Sequence, residues 1–274
     1  MKTNNRVKST LKAVDEKIKH VEAYLEHGWT TEREDEEERI DEKIDQIVTK
    51  LNQNTYKDYD VEAFKKLIST IEQNGLTNFN MSTFLGHISD TWNNYYDYVH
   101  EVTRSSLTNK IDLSKGPFVD KTTNKFKCTS VGCIAGFATA VAFGWEIPKW
   151  LSKSDSRDFH REFELIACSY LNIPIWVGKK IFYGDEGSAW AFAKQHSHLL
   201  GDAYSHLSIE NGDIDEDDDS SWTYVSIDLN SISYKDAVNM LTDIIEGKII
   251  FHQENHNDGG IMINPKLEQA FKVK

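Results

Sequence analysis

Proline is scarce, with four in 274 residues. Proline removes a backbone donor and clashes with the preceding turn, so its rarity favours long uninterrupted helices. Cysteine is scarcer still: Cys128, Cys133 and Cys168 are the only three. So small and odd a number excludes a disulfide framework and points to a reducing compartment. No apolar run reaches the roughly 18 residues of a membrane-spanning helix. The opening Met1-Lys-Thr-Asn-Asn-Arg6 leads into a charged amphipathic pattern, not a signal peptide. No dense Lys/Arg block occurs, and 31 basic residues face 44 acidic ones for a net charge of −13. Such a chain repels phosphate backbones, which argues against a nucleic-acid partner. Also missing are a Gly-x-x-x-x-Gly-Lys-Ser/Thr loop, a Gly-x-Gly-x-x-Gly turn and a Gly-x-Ser-x-Gly elbow. Nucleotide binding and Ser-triad chemistry therefore have no motif to rest on. The expectation is a cytoplasmic protein with no membrane, nucleic-acid or cofactor association.

What is present suffices for a folded body. Apolar residues make up 39% of the chain and seven Trp are among them, enough to build a sizeable core at this length. In residues 1–54, Leu11, Val14, Ile18, Val21 and Leu25 recur at 3-4-3-4 spacing, the seam of a coiled coil. His27-Gly28-Trp29-Thr30 breaks the pattern. Thr31 with Glu34 then reads as a capping box opening a second helix, on which Ile40, Ile44, Ile47 and Leu51 form the apolar stripe. The expected unit is an antiparallel helical hairpin. Its narrow seam needs a partner: the body, another protein, or a second copy in a homo-oligomer. The run Glu32-Arg-Glu-Asp-Glu-Glu-Glu38 reads as a solvated face.

Residues 55–274 read as a helical core domain, making the fold mainly α with a minor C-terminal β element. Helices are expected over 55–76 (Val61, Phe64, Leu67, Ile68 and Ile71 on one face, stopped by Asn74-Gly75), 82–104, 133–143, 160–172, a short one after Pro174, 187–207, and 233–247. The small apolar stretch after Cys133 reads as a close-packed central helix ending near Gly144. Residues 208–222 carry Glu210-Asn-Gly-Asp-Ile-Asp-Glu-Asp-Asp-Asp219 and read as an acidic loop. Thr223 to Ile227 alternates as a strand. Lys248–Phe251 and Ile261–Ile263 are expected to form a hairpin turning at Asp258-Gly259-Gly260.

Gly132-Cys133-Ile-Ala-Gly-Phe-Ala138 resembles the core of a family of uncharacterised phage and bacterial proteins with Cys-Gly-Thr-x-x-Cys-Ile-Ala-Gly, then an aromatic or His, then Ala. Phe79-Asn80-Met81, Leu171-Asn172-Ile173, Ile181-Phe-Tyr-Gly184 and Tyr234–Gly247 follow that family's order, so the resemblance spans 79–250. Cys128-Thr129-Ser130 departs from its Cys-Gly-Thr. The resemblance implies a viral or mobile-element origin and carries over no catalytic role.

Four chemistries remain to be weighed. Cys133 stands where a loop enters a helix, a position that lowers a thiol pKa and supplies amide donors, so it is the candidate nucleophile of a hydrolase or transferase. It would need one of His160, His196, His198, His206 or His252 as base. The plainer reading is a small apolar residue packing the core. Cys128 and Cys133 are too widely spaced for a usual structural zinc pair, and no fourth ligand accompanies Cys168. If 187–207 is one helix, His198, Asp202 and His206 fall on one face as metal-ligand types; an exposed His–Asp contact is the plainer reading. Asp213, Asp215 and Asp217 alternate as in a calcium loop, but Asp218 and Tyr224 replace its Gly and Glu. His252-Gln-Glu-Asn-His256 has its Glu in the wrong place for a zinc protease. With no complete catalytic motif, the expectation is a non-enzymatic interaction protein, a phage accessory factor binding a host protein.

Overall fold

The computed structural model describes residues 5–27, 30–79, 81, 85–87, 130–144, 160–184, 187–211, 225–255 and 258–272. Those residues are mainly helical, with small antiparallel strand pairs. None of the described helices is long and apolar enough to cross a membrane.

Helices α1 (Asn5–His27) and α2 (Thr31–Asn52) run as the predicted hairpin. Val14 and Ile18 of the seam are buried, as are Ile40 and Leu51 of the facing stripe; the side chains of Val21 and Leu25 lie outside the described residues. Lys43 to Glu16 at 2.6 Å and Lys17 to Asp41 at 3.3 Å tie the two helices along their edges. The expected capping box is not there. Thr30, not Thr31, is the N-cap, and its side chain makes no capping bond. The helix starts one residue early, so Thr31 is already inside it; the backbone N–H of Glu34 donates to Thr30 O at 3.2 Å.

Helix α3 (Val61–Asn78) begins six residues later than the pattern suggested. Asp58 accepts from the backbone N–H and hydroxyl of Thr55, both at 2.8 Å, closing a turn ahead of it. Asp60 Oδ1 then accepts from Ala63 N–H at 3.1 Å, serving the first turn of the helix. Phe64, Leu67 and Ile71 are fully buried, while Val61, the first residue of the helix, is 42% exposed. The helix also runs through Gly75: the Asn74 side chain donates back to Thr70 O at 2.8 Å and keeps the helical course. The helix expected over 82–104 is corrected at Leu85–His87, which is strand β1, paired antiparallel with β2 (Ser130–Gly132); the rest of it lies outside the described residues.

Helix α4 (Ile134–Ala142) follows Cys133 directly. Its residues are so small that it packs closely on α5 (His160–Leu171), and every one from Ile134 to Ala140 is buried. Gly144, at φ +62°, ends the segment in a conformation that side chains disfavour. Pro174 is the N-cap of α6 (Ile175–Phe182). Here Gly178 is required by contact: a Cβ would collide with Cys168 Sγ and stand 3.0 Å from the Phe182 ring.

The hairpin and the body share one apolar core, in which Val7, Val14, Ile18 and Leu51 join Phe64, Phe137, Ile166 and Leu171. Polar contacts pin the docking. Arg6 Nε donates to Ser169 O at 2.6 Å, and the Thr10 and Ser169 hydroxyls bond at 2.8 Å with both residues buried.

Residues 187–207 are not one helix. Helix α7 (Ala189–Gln195) gives way to a 3-10 turn at Ser197–Leu199 and then to turns through Leu207. Gly201 at φ +72° and Asp202 at φ +58° take left-handed conformations, which end regular helix. Strand β3 (Ile209–Asn211) pairs antiparallel with β4 (Val225–Ile227). Nearly all of the acidic loop between them, with its calcium-like aspartates, lies outside the described residues. Helix α8 (Tyr234–Ile245) opens with a reciprocal capping box between Ser233 and Asp236. Strands β5 (Ile249–Asn255) and β6 (Asp258–Ile263) form the C-terminal hairpin. Its Asp258-Gly259-Gly260 lies in the strand, not the turn: Gly259 pairs with Gln253 and lies against Trp176, whose ring would stand 2.6 Å from a Cβ there. A last helix, α9 (Pro265–Lys272), went unanticipated. Asn264-Pro265 announces it, with Asn264 Oδ1 accepting from Lys266 N–H at 3.1 Å.

Candidate functional site

The most unusual chemical environment among the described residues lies between α4, α5 and α6. Helix α5 is buried nearly all round, from Glu162 to Ser169, so its carboxylates have nowhere to go but inward. Glu164 is 4% exposed. Its Oε2 accepts from the Tyr183 hydroxyl at 3.3 Å, and its Oε1 has no hydrogen-bond partner. Burial pushes this carboxyl up to about 7, although Lys179, the Tyr183 hydroxyl and Arg161 pull it down. Desolvation of the charged form outweighs those three favourable contacts. Glu162 is also buried, with Lys17 Nζ at 4.0 Å from its Oε1.

Two thiols belong to the same neighbourhood. Cys133 is the N-cap of α4 and fully buried. The N–H groups of Gly136 and Ala135 do point at its sulfur, as the helix-terminus argument requires, yet burial pushes the thiol up to about 11. Cys168, one turn along α5 from Glu164, is also raised well above its ordinary value, by burial and by the nearby carboxylate, against a backbone N–H from Gly178 and the charge of Lys179. The Tyr183 phenol is raised by burial, then by Glu164 and by both cysteines. The arrangement holds one proton on a carboxyl that exchanges near neutral pH, while both thiols stay protonated.

The histidines considered as bases occupy other surroundings. His196 stacks on Phe192 with ring centroids 4.3 Å apart, and its Nδ1 is 2.9 Å from Phe192 O. His198 meets Phe271 edge-on at 5.5 Å. His206 Nε2 lies 3.2 Å from Asp236 Oδ2. His252 is a half-buried strand residue paired with Gly260. The side chain of His160 lies outside the described residues.

The metal reading of His198, Asp202 and His206 is corrected by the break after Gln195. His198 faces Phe271, Asp202 sits in a left-handed turn, and His206 pairs with Asp236 on another element. Among the described residues no group of three or more His, Cys, Asp or Glu is placed to hold a metal ion. Sequence reasoning missed Glu164 and Tyr183. The available signal was Glu164 lying among Phe163, Leu165, Ile166 and Ala167, in a helix with too many apolar residues for one face.

No protein-family model matches the chain, and no curated protein or solved structure is similar to it.

Proposed function

We propose that this is an interaction protein that works without covalent chemistry, presenting the outer face of α2 to a basic protein partner. The observation that carries the reading is a row of four carboxylates. Asp35, Glu38, Glu42 and Asp45 repeat at 3-4-3 spacing, all are exposed, and none is ion-paired with a described residue. The row lies opposite the stripe of Ile40, Ile44, Ile47 and Leu51 that faces the body, so folding leaves it outward. Neighbouring acids are spent within the fold: Asp41 on Lys17, and Glu36 on Arg39. Unpaired charge of one sign steers an oppositely charged partner and sets its register more than it adds raw affinity. The resemblance around Cys133-Ile-Ala-Gly-Phe-Ala138 supports a phage accessory factor acting on a host protein. Self-association through Leu11, Val14 and Ile18 is a weaker reading, because Val14 and Ile18 are buried within the single chain.

The test compares capture from a bacterial extract by the wild type and by a variant with Asp35 and Asp45 changed to Asn and Glu38 and Glu42 to Gln. The expected result is a salt-sensitive partner lost from the variant. A partner retained equally by both, or none captured at low salt, overturns the reading.

The alternative is a hydrolase or transferase with Cys133 as nucleophile. The amide donors of Ala135 and Gly136 favour it; burial of the thiol and its raised pKa oppose it.

A further inference from the structure

Beside α7 lies a groove that neither the acidic face nor the buried cluster uses. Its volume is about 700 Å³, within the roughly 300–1,000 Å³ of small-molecule sites. The walls are apolar: Ala191 and Phe192 from α7, Ile209 from β3 and Ile227 from β4. Ile209 is one of the few large apolar side chains the described surface exposes, at 45%. Register places the groove at the base of the β3–β4 ribbon, where Ile209 pairs with Ile227, two residues from the end at which the acidic loop departs.

The charge carried by the described lining of this groove is opposite in sign to the net charge of the chain. Lys194 lines it, and its Nζ donates to Ser205 O at 2.9 Å. At the Gly187 edge, Lys180 Nζ donates to Gly187 O at 3.2 Å. Neither lysine forms an ion pair with a described residue. An ammonium carries three donors, and one carbonyl uses one of them. Each head is therefore held in place by the backbone with donors to spare. Apolar walls beside such a donor are the usual pattern of a site for an amphipathic ligand.

We infer that this groove binds a small amphipathic organic carboxylate, its apolar body against Phe192, Ile209 and Ile227 and its carboxylate on Lys194. The polar end follows from Lys194 having no acidic partner among the described residues. The apolar end follows from Ile209, whose exposure the fold does not otherwise use.

The test is calorimetric titration of the full chain with decanoate, with decan-1-ol as the uncharged control. Decanoate is expected to bind about fivefold more tightly than the alcohol, the scale of a half-exposed ammonium–carboxylate contact. Lys194→Gln should bring the two to parity, and Ile209→Asp should weaken both. Lys50→Gln, on α2 and outside the groove, should change neither. Lys194 and Ile209 are at least partly exposed, so circular dichroism should show both variants folded. The inference is overturned by absent binding, by parity in the wild type, by a decanoate affinity that Lys194→Gln leaves intact, or by an equal loss in Lys50→Gln.

Discussion

Replacing Glu164 with Gln should stabilise this protein at alkaline pH and cost about 1 kcal/mol at acid pH. In the folded state the carboxyl ionises at about 7, against an ordinary value of 4.5. The folded state therefore keeps a proton that the unfolded chain has already released. Stability from this group is complete below about pH 4.5, falls as pH rises toward 7, and reaches its floor above that. Carrying the carboxyl across that interval costs about 3 kcal/mol at pH 8. Gln has the shape of the protonated acid and can still accept from Tyr183, so it avoids the cost of ionisation. The amide leaves one buried donor to be satisfied, which returns about 1 kcal/mol. The net expectation at pH 8 is a gain of about 2 kcal/mol. The assay is urea unfolding of both proteins at pH 4 and pH 8. Because other carboxylates titrate equally in the two proteins, the difference between them isolates Glu164. A stability gap that is the same at both pH values, or Gln less stable at pH 8, would refute the argument from burial.

Three further outcomes follow from the packing. In a Cys128→Ser background, Cys133 should stay inert toward a thiol probe at pH 8 until the protein is unfolded; a labelling rate titrating below the free-thiol value of about 8.5 would show an activated nucleophile instead. Ile18→Ala should cost about 2–4 kcal/mol in urea unfolding with no change in sedimentation, since Ile18 is sealed in the single-chain core; a change of oligomeric state without loss of stability would place the seam at an interface between copies. Gly178→Ala should cost about 1–3 kcal/mol because its methyl collides with Cys168 Sγ, and Cys168→Ala in the same chain should recover part of that loss in a double-mutant cycle.

Periodicity carried most of the fold. The hairpin, α4, α5, α6 and α8 all announce themselves through apolar spacing, small residues, or a Pro at the start. The misreadings occurred where one polar group decides the backbone. Asp58 and Asp60 move the start of α3, and Gly201 with Asp202 break what reads as a helix to 207. The placement of Gly259 depends on Trp176, 83 positions away in the chain, which no local pattern reveals. The candidate site was half legible. Cys133 at a helix entrance was readable, and so was its burial as a small core residue; the carboxyl and phenol that packing of α5 and α6 brings near it were not. Glu164 was overlooked because a charge within a helix ordinarily turns to solvent, and α5 has almost no solvent face.

The bond from Arg6 to Ser169 joins positions 163 apart, and this bears on the order of assembly. During synthesis α1 and α2 emerge well before α5 and can form their hairpin locally. The face carrying Val7, Thr10, Val14 and Ile18 has no permanent cover until α5 has been made, more than a hundred residues later. Contacts between such distant positions form slowly, because closure entropy is lost before they reward it. Until then the amphipathic hairpin shows its apolar stripe to whatever is nearby, chaperones included. A helix made early relative to α5 is thus buried only after α5 has followed it.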